Sequence, residues 1–512
     1  MSLPNITFIK GQGGLGRPLP GQDFISALIF YTANLPSGFT TSNRVKALYA
    51  VTDAIAAGIL NDYSDGTAAE AEYLITAAGA TGDTITISVD DLDDTGTPQV
   101  EQLCSYVKQA SDSSIAILGA SIAAAINANT VNNGYSATFN TATLTITAPK
   151  KFGIYLNTGT PLVVTIVGAI AGTITQFTGG VASLFARFYY QISEFFRMQP
   201  GGILYVGFFA IPGSYAFTEI TTVQNFAGGT VRQVGVLKDP ASAFSTGDLT
   251  LIDGVCKAND AVHKPLSALY AADLSGTTDI STLPDLSTLT ANKSTAVIGM
   301  DGGGQGWFLW MTTGKSVPVL GAELGTVALA SVSQSIAWVG KFNISSGSED
   351  EILAFANGQL LSSTAITDNL LSSLNDRRYT FLKKFVGISG SYFNDSHCAI
   401  IASSDYAQIE NNRTIDKAIR GIYANMLPAL NGPLQLNADG TLSETTAAYL
   451  ENLAQTPLDT MVRNSELSAG AASVNPAQNV LSTSTVIVVV QLVINGVARQ
   501  IQIPIGFVPK IS

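Results

Sequence analysis

Four apolar runs recur at wide spacing between residues 202 and 302: GILYVGFFA at 202–210, VRQVGVLKD at 231–239, PLSALYAAD at 265–273 and STAVIGMDG at 294–302. Segments of helical spacing separate them, and that alternation specifies βαβ units with a largely parallel sheet. Ligands of such sheets bind at the carboxyl ends of the strands. Asp239, Asp273 and Asp301 stand there and are the best catalytic candidates the chain offers. They share no recognisable motif, and aspartates at strand ends also serve as turn formers and helix caps.

A segment of different character interrupts the α/β pattern. Residues 64–181 are rich in Thr, Ala, Asn and Gly and carry the period-2 runs DTITISV at 83–89 and TATLTITAP at 141–149, with one helical stretch, SIAAAINANT, at 121–130. The flanks RVKALYAVTDAIAAGI at 44–59 and LFARFYYQISEFFRM at 184–198 both have apolar residues at helical spacing. The pattern predicts a mainly β domain inserted between two helices of a larger α/β domain.

Nucleotide motifs fail on context. GQGGLG at 11–16 has the G-x-G-x-x-G spacing, but Arg17-Pro18-Leu19-Pro20-Gly21 follows where a phosphate-binding helix must start. Prolines there remove donors and favour extended backbone, and no acid lies between Phe30 and Tyr49 to hold a ribose. Gly314-Lys315-Ser316 lacks the P-loop glycine, because position 309 is Leu309. Neither stretch calls for a cofactor, and none is expected. Cys104, Cys256 and Cys398 are too scattered for a metal or disulfide framework and read as buried small hydrophobes. The two histidines, His263 and His397, exclude a His-rich metal site. His397 and Cys398 are sequence neighbours, so on a strand they face opposite ways and do not form a nucleophile and base.

Charged residues make up only 12% of the chain against 46% hydrophobic, about half the usual charged share. A surface packed against copies of itself accounts for such depletion. The longest apolar run, LVVTIVGAIAG at 162–172, is too short to span a bilayer and reads as strand and turn. No membrane insertion and no secretory signal are expected. The net charge of −12 argues against nucleic acid as a partner.

In the C-terminal third, Ile415, Ala418, Ile419, Ile422, Tyr423, Met426 and Leu427 follow helical spacing. Arg413, Lys417 and Arg420 fall in a band roughly 60° wide opposite that stripe, a basic ridge on an acidic protein. A second helical region lies near TAAYLENLAQTPLDTMV. Asn495-Gly496 then favours a type I′ turn, which predicts a terminal hairpin of 485–494 with 497–503, its first strand buried on both faces. The chain ends in an apolar extended stretch holding Ile505 and Phe507. At the other end, NITFIK with Ile6 and Phe8 precedes Gly11, Gly13, Gly14 and Gly16, whose freedom in φ suits a hinge. An arm at each end implies strand exchange with neighbouring chains.

The expected layout is an N-terminal arm at 1–20, an α/β domain at 21–63 and 182–370 and an inserted mainly β domain at 64–181. A C-terminal α+β domain at 371–505 carries the hairpin, and a C-terminal arm occupies 506–512.

The C-terminal third resembles that of contractile tail sheath proteins from myophages and phage-tail-like injection systems. The likeness lies in the order of IENNRTIDKAIRGIY at 409–423, LNADGTLSE at 436–444, SELSAG at 465–470, NVLSTSTVIVVVQLVI at 479–494 and IQIPIGF at 501–507. It covers residues 375–512. The resemblance implies a structural protein rather than an enzyme, assembled in the bacterial cytoplasm into a virion tail or injection particle. It implies hexameric rings of copies of itself stacked around an inner tube, with baseplate and tail terminator proteins as further partners. It also implies terminal arms that complete sheets in neighbours, and a contact of Arg413, Lys417 and Arg420 with an acidic tube. Contraction would drive the tube through a cell envelope.

Overall fold

A computed structural model describes residues 22–238 and 243–507. Ile6, Phe8, the four hinge glycines and Asp239 lie outside the described residues. The chain is mixed α/β and forms two compact units, one of residues 24–413 and one of residues 414–507 together with residues 22–23.

The first unit is built on a seven-stranded sheet. Its order from edge to edge is Tyr379–Thr380, Ser294–Val297, Ser267–Ala271, Gln233–Leu237, Ile25–Tyr31, Ile203–Phe209 and Val45–Leu48. Every neighbouring pair is parallel except the last, where Val45–Leu48 runs antiparallel to Ile203–Phe209. The four runs singled out in the sequence supply four of these strands. An interior strand, ISALIFY, is a fifth, buried throughout because helices cover both faces of the sheet. Leu28 and Phe30 face one core, with Phe30 ring centroids 4.7 Å from Phe188 and 5.2 Å from Phe208. Ala27, Ile29 and Tyr31 face the other.

On the first face the helices Leu184–Met198 and Leu320–Leu329 approach closely. Gly321 permits it, since a Cβ there would lie 2.0 Å from the Gln191 carbonyl oxygen. The segment 44–59 is not one helix as its spacing predicts. Val45–Leu48 is drawn into the sheet edge, and the Asp53 carboxylate accepts the Tyr49 and Ala50 amides, so the helix starts only at Val51.

Residues 70–178 form two antiparallel sheets and the helix Ile115–Asn127 around a core that also takes in Phe308 from the Gln305–Thr313 helix. Along Thr84–Leu92 the alternation is direct, with Ile85, Ile87 and Val89 all buried. The chain enters and leaves this region at Thr67 and Val181, which bridge each other. Asp65 accepts the Leu184 and Phe185 amides at 2.9 and 3.1 Å, placing a carboxylate at the start of the Leu184–Met198 helix.

Residues 371–413, expected with the C-terminal domain, belong to the first unit: Tyr379–Thr380 is an edge strand of the large sheet. The second unit contains most of the helix Ile409–Met426, the helix Glu444–Arg463 and a two-stranded sheet. Its core is small, with Leu442, Ala447, Leu450 and Val474 at the centre. The predicted terminal hairpin does not form. Val488–Val493 pairs antiparallel with the upstream Ala469–Val474, and residues 497–507 carry no strand. Instead of turning a hairpin, Asn495 accepts from the Ser468 hydroxyl at 2.9 Å and donates to the Ser465 carbonyl at 2.7 Å. Nor is Val488–Val493 buried on both faces: its side chains alternate between half-buried and exposed.

Candidate functional site

The two-stranded sheet has unequal edges. Side chains of the Glu444–Arg463 helix occupy the outer edge of Ala469–Val474: Gln455 accepts the Ala472 amide at 2.9 Å and donates to the Gly470 carbonyl at 2.9 Å, and Glu451 accepts the Val474 amide at 2.8 Å. The outer edge of Val488–Val493 has no strand partner among the described residues. Beyond it the chain continues with Ile501, Ile503, Ile505 and Phe507 at 77%, 77%, 95% and 109% exposure. An open edge followed by exposed apolar residues is a template for pairing with another chain.

The basic band is not a solvated ridge. Arg413 is buried and donates to the Ala330 carbonyl at 3.1 Å. Lys417 and Arg420 have side chains only 6% and 9% exposed and converge on Asp23, at 2.6 and 2.8 Å. Glu466 pairs with Lys417 as well. Burial lowers the Arg420 pKa, and Asp23, Asp416 and Glu466 oppose that shift. The opposite, apolar stripe is the more open face, with Ile419, Tyr423 and Leu427 exposed. Helical spacing fixes which residues share a face, but the carboxylates that bury this basic face come from Asp23 and Glu466, distant in sequence.

The strand-end aspartates serve the backbone. Asp273 accepts the Ser275 amide at 2.9 Å and lines a cavity of about 470 Å³ with Phe244, Ser245, Thr277 and Pro284. Asp301 is not among the residues lining it. It accepts the amides of Gly303, Gly304, Trp307 and Asp350 at 3.2, 2.8, 3.2 and 3.1 Å, heading the helix Gln305–Thr313. Gly314 ends that helix with φ +62°, and the buried Ser316 hydroxyl accepts the Leu274 amide, so Gly314-Lys315-Ser316 is spent on packing. Cys398 is buried, which pushes its thiol up to about 12.

Asp301 also belongs to a buried ionic network that sequence reasoning missed. Arg197 donates to Glu194 at 2.9 Å, to the Ile344 carbonyl at 2.6 Å and to Asp350 at 2.9 Å. Glu349 accepts the Gln305 amide at 2.7 Å. Gly304 makes room for the convergence, because a Cβ there would lie 2.8 Å from a Glu349 oxygen and 2.9 Å from an Asp301 oxygen. Glu349 Oε2, Asp350 Oδ1 and the Tyr190 hydroxyl are buried without a hydrogen-bond partner among the described residues. Burial pushes the Glu349 carboxyl up to about 7 against the pull of the Gln305 amide, with Asp301 and Glu194 adding to the rise. Burial, Glu194 and Asp301 raise Asp350 as well, and burial raises Asp301 against its four amide donors. Two signals lay in the sequence: Glu194 and Arg197 at i, i+3 on one helix, and the acid run at 349–351. Among the described residues no group of three or more His, Cys, Asp or Glu is arranged to hold a metal ion, and no helix is long and apolar enough to cross a membrane.

Solved structures similar to this chain are tail sheath proteins and related particle components. The helical sheath of the anti-feeding prophage in its contracted state matches at 15% identity with a TM-score of 0.43, covering 63% of this chain and 81% of that one. The sheath complex of an extracellular contractile injection system, PVC, in its contracted state matches at 14% identity and a TM-score of 0.40, covering 62% and 80%. A sheath tail protein from Listeria innocua matches at 10% identity and a TM-score of 0.36, covering 93% and 96%. No curated protein matches the sequence. The DUF2586 N-terminal domain matches residues 3–397 and the DUF2586 C-terminal domain matches residues 405–512. Together the two domains take in nearly the whole sequence, and the chain belongs to the DUF2586 family.

Proposed function

We propose that this chain is the structural subunit of a contractile tail sheath, polymerising as stacked hexameric rings around an inner tube and contracting to drive that tube through a cell envelope. The observation that carries the reading is the open edge of Val488–Val493 with the exposed apolar residues 501–507 after it. A strand from a neighbouring copy added there gains main-chain hydrogen bonds, and alternate side chains fix its register. The ordered motifs of residues 409–507 support the same reading. Copies of the chain, an inner tube protein, and baseplate and terminator proteins are the partners, met during assembly in the bacterial cytoplasm. Residues 1–16, with Ile6 and Phe8 and the hinge glycines, serve as the arm that fills a neighbour's edge. With Lys417 and Arg420 engaged by Asp23 and Glu466, their part in tube contact is to hold the helix Ile409–Met426 in place rather than to present free charge.

Negative-stain microscopy of the purified full chain tests this directly. Sleeves or stacked rings are expected, and removal of residues 497–512 should leave a folded chain that no longer forms them. Compact single particles from the full chain at high concentration, or intact sleeves from the truncated chain, would sink the reading.

A further inference from the structure

The Glu194 and Asp350 carboxyls share the Arg197 guanidinium, and together with Asp301 and Glu349, which hold backbone amides, they join three segments of the first unit: the Leu184–Met198 helix, the start of the Gln305–Thr313 helix and the turn 345–350. That turn is held in an unusual backbone. Asp350 has φ +54°, in the left-handed region that residues with a Cβ rarely adopt, and Gly347 has φ +63°. Its ties are the Asp350 amide to Asp301, the Asp350 carboxylate to Arg197, the Asp350 carbonyl to Ser391, and Glu349 to the Gln305 amide. Three polar atoms facing the network, Glu349 Oε2, Asp350 Oδ1 and the Tyr190 hydroxyl, have no hydrogen-bond partner among the described residues. A Cβ on Gly306 would lie 2.7 Å from the Tyr190 hydroxyl and 2.9 Å from Asp301 Cβ, which sets that hydroxyl beside the acids.

Four anions around one cation in a buried site repel one another, and the arrangement is balanced when protons stay on part of the set. We propose that this network is a proton-held clasp: protons shared among the Asp301, Glu349 and Asp350 carboxyls fasten the turn 345–350 to the Leu184–Met198 helix, and their loss releases it.

The groups facing the clasp are Tyr190, Glu194 and Arg197 from the helix, Asp301 from the segment before Gln305–Thr313, and Glu349 and Asp350 from the turn itself. The nearby Lys384 pairs with Glu351 at the surface. Asp301, Glu349 and Asp350 bind protons more tightly in the closed turn than when opened to water, so rising pH favours opening. For each proton released the opening equilibrium grows about tenfold per pH unit, across the window from the ordinary carboxylate range up to the raised value. Glu349, raised to about 7, places that window between weakly acidic and neutral pH. The clasp holds or opens whether or not the chain builds a sheath.

Amide exchange of the full chain, read by mass spectrometry from pH 5 to pH 8 and corrected for intrinsic exchange, tests it. Protection of residues 345–352 should fall by about tenfold or more across that range, while the Glu219–Phe226 helix keeps its protection. Glu349→Gln retains an acceptor for the Gln305 amide but removes one titrating group, and should flatten the response. A flat profile in the unmodified chain overturns the clasp without any variant. So does an undiminished slope in Glu349→Gln.

Discussion

The two units solve burial differently. In residues 24–413 a strand such as Ile25–Tyr31 has neighbours on both edges and helices over both faces, so its polar backbone and apolar side chains are both satisfied within one chain. In residues 414–507 the strand Val488–Val493 has one paired edge, one open edge and side chains that alternate with solvent. The first unit is a self-sufficient fold. The second exposes apolar surface and an open strand edge, the features on which the proposed association rests.

The largest expected effect lies in the first core. Phe208→Ala removes a buried ring packed on Phe30 and Phe188 and should cost about 3–5 kcal/mol in denaturant unfolding. Leu450→Ala, in the small core of the second unit, should cost nearer about 2 kcal/mol. Equal losses would break the contrast between the units.

A smaller effect of opposite sign is expected at Glu323. This residue is fully buried in the Leu320–Leu329 helix, and neither carboxyl oxygen has a hydrogen-bond partner among the described residues. Burial raises its pKa well above the ordinary value, so the folded chain holds a proton that the unfolded chain releases. Its contribution is intact below the ordinary carboxylate range and is lost as pH rises toward the raised value. Glu323→Gln should therefore stabilise the unit by about 1–3 kcal/mol at pH 8 and by less at pH 5. A gain in melting temperature that does not grow with pH would show that the carboxyl is not protonated in the folded chain.

The smallest effect on stability sharpens the comparison most. Ile503→Asp with Phe507→Asp alters residues exposed at 77% and 109% and should shift stability by no more than about 0.5 kcal/mol. Sedimentation should nonetheless show loss of assembly. Loss of stability in the unassembled chain would mean that residues 501–507 help to hold their own unit together.

By itself the sequence determined what depends on local period. The strands at 203–209, 233–237, 267–271 and 294–297 and the helices at 184–198 and 409–426 follow from the spacing of apolar residues within each segment, where side-chain direction repeats every 2 or 3.6 residues. The interior strand ISALIFY went unread, because it is buried on both faces and no alternation marks it out. Tertiary structure alone decided which surfaces close. Lys417 is turned inward by Asp23, 394 positions away, and Arg197 meets Asp350 across 153 positions. Val45–Leu48 left a helical pattern for a sheet edge, and Val488–Val493 took the upstream Ala469–Val474 in place of a strand after Asn495-Gly496. Turn propensity and helical spacing are worth a few tenths of a kcal/mol to about one per residue. A ladder of backbone hydrogen bonds or a desolvated ion pair from a distant segment outweighs them, and no local period records where that segment will be.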